Sequence, residues 1–229
     1  VKNDIGRADL AIGNLEVTLG GKPYRGYPQF SAPDEYLHAI HDAGFDILGT
    51  ANNHSLDRRK RGLERTLALA DSLGIPTVGT YRDSTDRQQR YPLMVEKNGV
   101  RIALLCATYG TNGIPATAPN TVNSLDRQEL AADIRRARAL HPDAIIALVH
   151  WGNEYQLQQN TQQSQIAQKI CDLGVDVIVG GHPHVVQPMD LLESTVDPNH
   201  KTVCLYSMGN AVSNQRQGNL TAISTAHTE

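Results

Sequence analysis

The sequence predicts a layered α/β fold in a single domain, and three observations carry that prediction. Short apolar runs alternate repeatedly with amphipathic stretches that end on glycine. Runs such as AIIALV and VIVGG are apolar throughout, which suits strands covered by helices or by a second layer. Polar residues with ligand or acid–base chemistry fall just after these runs, as expected where an open sheet offers one edge to a ligand.

In chain order, ADLAIGNL (Ala8 to Leu15) and FDILGT (Phe45 to Thr50) read as short buried strands. Between them, SAPDEYLHAIHDAG carries Asp34 and Glu35 near its start and Gly44 at its end, which predicts a helix. Gly62 to Gly74 is a second helix with a glycine stop, and IPTVGT follows as a strand. Leu93 to Ala107 reads as a hairpin, with LMVEK and VRIALLCA joined by a turn at Asn98-Gly99. Tyr109 to Thr121, rich in Gly, Pro and Thr, is expected to be a long surface loop of the kind that borders sites. Asp126 to Leu140 is a charged amphipathic helix leading into the strand DAIIALVH. TQQSQIAQKICDLG then predicts a helix before VDVIVGG, and VVQPMDLLE and TVCLYSM read as further strands. With no internal repeat and no low-complexity linker, one domain over residues 1–229, trimmed at both ends, is expected.

A chain of 229 residues can bury a sizeable core. The formal charge of −3 gives no global basic field, so nucleic acid is not an expected partner and an anionic ligand must be met by a local site. The 3 cysteines form no CxxC pair and read as core thiols, Cys106 and Cys204 in apolar runs and Cys171 on a helix. No stretch approaches the ~20 apolar residues of a membrane span. The chain starts at Val1 without methionine, so a leader, a lipid anchor or a first strand is expected upstream.

GGHPH is the strongest single motif. Two histidines two apart in extended chain project to the same side, so His182 and His184 can face one metal centre, and the glycines before them permit a sharp turn. Asn52-Asn53-His54 offers an amide oxygen as a ligand and an adjacent histidine for acid or electrostatic work, although asparagine also favours plain turns. His150 closes ALVH and Glu16 closes ADLAIGNLE. Singly, the first reads equally as a hydrogen-bonded buried histidine and the second as a surface carboxylate.

The succession GNLE, NNHSLD, VHWGNEY, GGHPH and YSMGN closely resembles the CapA family of poly-γ-glutamate capsule biosynthesis proteins, part of the calcineurin-like metallophosphoesterase superfamily. The resemblance runs from Ala8 to about position 214. It implies the layered α/β/β/α sandwich of metallophosphoesterases, with the first strand lying outside this chain. It also implies that Glu16 stands at the metal-bridging carboxylate, usually an Asp. Asn53, His150 and His182 match ligands of one metal, His184 matches a ligand of the other, and His54 matches the histidine that assists the leaving group. Two departures stand out. A strand ending in Asp, the superfamily's first motif, is absent, and neither Asp4 nor Asp9 replaces it. Glu in place of Asp lengthens the bridging arm. One nearly complete metal site and a second, incomplete one are therefore expected, for one or two ions of Mn, Fe or Zn.

Around these ligands, Asn52, Asp57 and Glu154 are expected to support the ligand histidines from outside, and Tyr206, Ser207 and Asn210 to line the rim. Arg58, Arg59, Lys60 and Arg61 follow directly and would draw a phosphate or polycarboxylate toward the metals; the plainer reading is a solvated basic turn. The resemblance implies a metal-dependent, hydrolase-like component of capsule or cell-surface polymer synthesis, acting on a phosphoester or a γ-glutamyl polymer. It also implies a place in the bacterial cell envelope, a membrane contact only through an anchor outside this chain, and other capsule-synthesis subunits as partners. A general metallophosphoesterase acting on small phosphoesters and a non-catalytic accessory or export subunit are the alternatives.

Overall fold

The computed structural model describes residues 2–213. Its elements in order are α1 (Lys2–Ile5), β1 (Ile12–Asn14), α2 (Asp34–Ala43), β2 (Ile47–Gly49), α3 (Arg59–Ser72), β3 (Thr77–Val78), β4 (Thr80–Tyr81), α4 (Ser84–Arg90) and β5 (Leu93–Lys97). Then come β6 (Val100–Thr108), β7 (Thr121–Val122), α5 (Arg127–Ala139), β8 (Ala144–His150), α6 (Thr161–Asp172), β9 (Val177–Gly181), β10 (Met189–Glu193) and β11 (Lys201–Leu205). A six-stranded sheet has the order β10-β11-β9-β8-β6-β5; a parallel sheet has the order β1-β2-β3; and β4 pairs with β7.

Four layers follow from which side chains meet. Ile47 and Val78 of the small sheet share a core with Ala103, Ala107 and Ala147 of the large one. The two sheets approach closely at Gly49, where an added Cβ would lie 3.2 Å from Leu148 and 3.4 Å from the Cys106 sulfur. On the outer face of the large sheet, Ile134 of α5 and Ile170 of α6 join the same core. On the outer face of the small sheet, Leu37 of α2 and Ala70 of α3 pack with Leu48. Alternation along β2, with Ile47 facing one core and Leu48 the other, places the small sheet between the two. The α/β/β/α order expected from the resemblance is what forms.

Local signals explain the boundaries. Gly44 closes α2 in the left-handed region at φ 100, and Asn98 (φ 53) with Gly99 (φ 80) makes the hairpin turn between β5 and β6. The single strand expected at IPTVGT divides instead. Gly79, at φ 118 with Ala51 and Cys106 against it, breaks the run, so β3 stays in the small sheet and β4 leaves to pair with β7. Thr121, expected in a loop, is therefore in a strand. Helix α4 was not anticipated. Its seven residues, STDRQQR, are entirely polar and show no apolar period; the Asp83 carboxylate, which accepts from the Asp86 N–H at 2.8 Å, starts it. Helix α3 starts three residues earlier than expected. All three cysteines are buried and free, and burial pushes the Cys106 thiol up to about 11. No described helix is long and apolar enough to cross a membrane.

Candidate metal centre

The strands that carry the motifs are parallel and end on one edge. Thr108, His150 and Gly181 are in register across β6, β8 and β9, and Asn14 pairs with Gly49 across β1 and β2. Glu16 lies two residues beyond β1, Asn53 and His54 follow β2, His150 is the last residue of β8, and His182 directly follows β9. The convergence expected from strand ends therefore occurs.

At its heart the Glu16 Oε1 atom stands 3.5 Å from His150 Nε2 and 3.8 Å from His184 Nε2. The His150 and His182 rings are 4.9 Å apart, and the His182 and His184 rings 6.0 Å. Donor atoms of Glu16, His150 and His182 all lie within 4.8 Å of one another, and so do those of Glu154, His182 and His184. Asn53 points its amide oxygen inward, 2.9 Å from His150 Nε2, while its Nδ2 donates outward to Asn112 at 3.3 Å. Asn14 donates to Glu16 Oε2 at 2.9 Å, which leaves Oε1 aimed into the cluster.

Two buried atoms here have no hydrogen-bond partner, Glu16 Oε1 and His182 Nδ1. Burial, with His182, His184 and His54 adding to it, holds His150 well below the ordinary histidine range. Burial and then His184 and His54 push His182 down to about 4. Burial raises the Glu16 carboxyl against the pull of His184 and His54. Neutral imidazoles have lone pairs to give, and a carboxylate oxygen without a hydrogen-bond partner beside them adds an oxygen donor. Buried polar groups of this kind are costly unless satisfied, so the donor set fits a divalent ion.

His54 sits beside this cluster, held by its neighbours. Its Nδ1 is 2.7 Å from Asp57 Oδ2, and its backbone N–H donates to Asn52 Oδ1 at 3.0 Å. Asn52 also donates to Asn14 Oδ1 at 3.1 Å and to the Leu15 carbonyl at 2.8 Å, stapling the NNH turn to the end of β1. The same Asp57 oxygen accepts from the Phe30 N–H at 2.7 Å, and the Phe30 ring packs 4.5 Å from His54.

Several expectations need correction. His182 and His184 do not converge through extended chain: their φ angles are 99 and 60, so the turn is made at the histidines themselves. Positive φ in non-glycine residues costs roughly 1–3 kcal/mol each and persists where surrounding structure enforces it. Gly180 serves packing instead of turning, because a Cβ there would fall 2.0 Å from the Tyr206 carbonyl oxygen and 2.7 Å from Trp151 Nε1. Tyr206 is not on the rim. Its ring is buried in the core and stacks on Trp151, with centroids 6.1 Å apart. Ser207 is buried as well and accepts from the Gly209 N–H. Asp57 supports His54 and not a ligand histidine. Glu154 is exposed, with a carboxylate oxygen within 4.8 Å of ring nitrogens of His182 and His184. Asn210 does reach the site, 2.9 Å from His184 Nδ1. The stem of Arg58 packs against Gly20 and Gly62, Arg59 and Arg61 are exposed on the first turn of α3, and Lys60 lies 3.9 Å from Glu64. Among the described residues no ion pair joins this run to the centre.

Sequence reasoning missed Tyr109, whose ring lies parallel to His150 at 6.3 Å and 4.8 Å from His182, and Tyr155, 5.9 Å from His184. It also missed Asn112, Phe30 and Asn14. Tyr109 and Asn112 lie in the loop expected to border a site, but nothing local to them marks which residues turn inward.

The family described as bacterial capsule synthesis protein PGA_cap matches residues 1–215. The chain belongs to that family. Among its PGA_cap relatives, the PGA biosynthesis protein CapA of Bacillus subtilis (strain 168) is 32% identical over 219 residues, covering 91% of this chain and 54% of that protein. The capsule biosynthesis protein CapA of Bacillus anthracis is 31% identical over 222 residues, covering 91% of this chain and 51% of that protein. The chain thus spans about half the length of these relatives. The solved structure of Haemophilus influenzae NAD nucleotidase (NadN) superposes with a TM-score of 0.55 at 16% identity, covering 85% of this chain and 39% of that one. The PGA_cap chain has a fold of the metallophosphoesterase type.

Proposed function

We propose that this chain is the metal-dependent, hydrolase-like core of a component of bacterial capsule or cell-surface polymer synthesis, acting on a phosphoester or a γ-glutamyl polymer. The observation that carries the metal part is the unpartnered Glu16 Oε1, buried 3.5 Å from His150 Nε2 beside His150 and His182, both of which burial holds below the ordinary histidine range. Glu16, Asn53, His150 and His182 would hold the ion, and the mixed nitrogen and oxygen donors suit Mn, Fe or Zn. When bound, such an ion supplies charge neutralisation and polarisation of a substrate oxygen. The chain's own residues do the rest. Asp57 fixes Nδ1 of His54, so Nε2 is the atom left to give a proton to a departing oxygen. The rings of Tyr109 and Phe30 flank the histidines and limit water around them.

The polymer, the envelope location and the association with other capsule-synthesis subunits are supported by the names of the PGA_cap relatives. The decisive experiment incubates the purified chain with Mn and measures turnover of p-nitrophenyl phosphate and of γ-glutamyl oligomers, beside elemental analysis. Metal-dependent cleavage of either substrate, abolished by Asn53→Ala, is the expected result. Cleavage of small phosphoesters alone would favour a general phosphoesterase. Less than one metal per chain with no turnover would leave an accessory scaffold.

A further inference from the structure

We propose that Tyr27, Tyr36, Tyr109 and Tyr155 form a collar around the mouth of the centre that grips the non-reacting length of a γ-glutamyl chain. The inference rests on the function proposed above and deepens it, choosing the polymer over the small phosphoester.

The distribution of tyrosines leads there. Of the 8 in the chain, Tyr81, Tyr91 and Tyr206 are buried in the core, and Tyr24 lies toward Arg65. The others come from separate segments and gather at the site. Tyr155 lies 5.9 Å from the His184 ring and Tyr109 4.8 Å from the His182 ring. Tyr27 packs edge-on against Phe30 at 6.5 Å, and Phe30 in turn lies 4.5 Å from His54. Burial, and then Glu16, raises the Tyr36 phenol; burial, and then Glu154, Tyr27 and Glu16, raises that of Tyr155. Tyr36 thus borders the Glu16 carboxylate, and Tyr27 and Tyr155 approach each other across the mouth.

These rings are exposed yet held. Tyr27 is 84% exposed, Tyr109 47% and Tyr36 37%. Tyr27 sits at the tip of a loop closed by reciprocal backbone bonds between Arg25 and Ser31, at 3.1 and 2.9 Å. The Thr18 hydroxyl donates to the Phe30 carbonyl at 2.6 Å and the Phe30 N–H to Asp57 at 2.7 Å, which ties that loop to the residue holding His54. On the other side, Gly152 turns at φ 87 where a Cβ would strike Gln163, and the Tyr155 N–H donates to the Pro183 carbonyl at 2.8 Å. Rings kept in place before a ligand arrives lose little freedom on binding it.

Chemistry selects the ligand. A γ-glutamyl unit offers an aliphatic spacer, an amide and a free carboxylate; ring faces cover the spacer, and protonated phenols donate to the carboxylate. Lys22 and Arg25, exposed on the Tyr27 loop, add positive charge. The rings meet at angles: Tyr27 and Phe30 at 65°, Tyr109 and His182 at 48°, Tyr155 and His184 at 33°. The near-parallel contact, Tyr109 on His150 at 8°, has a buried histidine as its other face. Rings splayed in this way suit a jointed chain more than a flat nucleobase.

The test is calorimetric binding of a γ-glutamyl hexamer and of inorganic phosphate to the full chain, with and without Mn. The hexamer should bind the wild type. Tyr27→Ala should weaken it roughly tenfold, while phosphate affinity and metal content stay unchanged. Tyr27→Phe should keep most of the wild-type affinity, since the ring face makes the contact. Hexamer affinity unchanged in Tyr27→Ala, or phosphate weakened equally, would overturn the collar. So would a wild type that binds no hexamer; uptake of Mn by that same protein would leave the metal reading standing. Hexamer binding that depends on Tyr27 in a chain holding no Mn would uphold the collar and overturn the metal reading instead.

Discussion

The two sides of the centre are built differently. Glu16, Asn53 and His150 stand at or just beyond the ends of strands, and His150 is itself locked into register between β6 and β9. His184 and Glu154 stand on chain that has left the sheets, held by strained φ angles, one backbone bond between loops and the Asn210 side chain. A sheet fixes donor positions by its ladder, whereas a loop fixes them only through the bonds that hold it. The strand-borne side should therefore be the tighter and the loop-borne side the more easily emptied.

The sharpest way to break this contrast is His182→Ala, because His182 contributes a donor to both groups. It should abolish binding of every ion, seen by elemental analysis, with the secondary structure intact. Retention of either ion at wild-type affinity would show that the groups do not share His182. Next in size, His54→Ala should lower turnover by roughly 10²–10⁴-fold with metal content unchanged. Asp57→Asn should follow in the same direction, as it loosens His54 and the Phe30 loop together. Smaller again, Asn210→Ala should weaken the loop-borne ion by roughly 10–100-fold and spare the strand-borne one, read from the two phases of a Mn titration. Equal weakening of both would erase the distinction.

The smallest effect lies away from the centre. Arg65 makes a two-pronged pair with Asp34, at 2.6 and 2.7 Å, and donates to the Leu19 carbonyl at 2.7 Å, tying the chain after Glu16 to α3. The Arg65 guanidinium holds the Asp34 carboxyl below the usual carboxylate range. The native state thus binds this proton less readily than the unfolded state. The stabilisation is present above the unfolded value of about 3.9 and fades as pH falls through the lower native one. Asp34→Asn should cost about 0.5–1 kcal/mol in urea melts at pH 7 and progressively less as pH falls below the unfolded carboxylate value, with metal affinity unmoved.

Much of this was legible in the sequence because parallel strands end on a shared edge. Once VHWG and GGHPH are placed after apolar runs, the convergence of His150 and His182 needs only the topology. The features that escaped depend on contacts between distant segments. Gly180 reads as a turn glycine until the Tyr206 carbonyl is seen against it, 26 residues away. Tyr206 reads as a rim residue because it follows a strand, yet the strand's alternation turns its ring onto Trp151. Glu154 reads as a carboxylate supporting the histidines from outside, since the sequence of a loop does not say how near its side chain comes to them. Helix α4 escaped because it buries nothing, so no apolar period announces it.

The contact among Gly180, Trp151 and Tyr206 has a consequence for ion choice. Trp151 follows His150 directly, and Gly180 lies two residues before His182, so the packing of one indole against a bare backbone ties together the ends of the two strands that carry these histidines. Trp151 Nε1 donates to the Tyr206 carbonyl at 2.9 Å, and Met208 N–H donates to the Gly180 carbonyl at 3.2 Å. On the metal reading proposed above, this packing would set the spacing of His150 and His182 and so the size of ion they accept. Reshaping it, for instance with Tyr206→Phe or Trp151→Phe, would retune the preference between small and large divalent ions without touching a ligand.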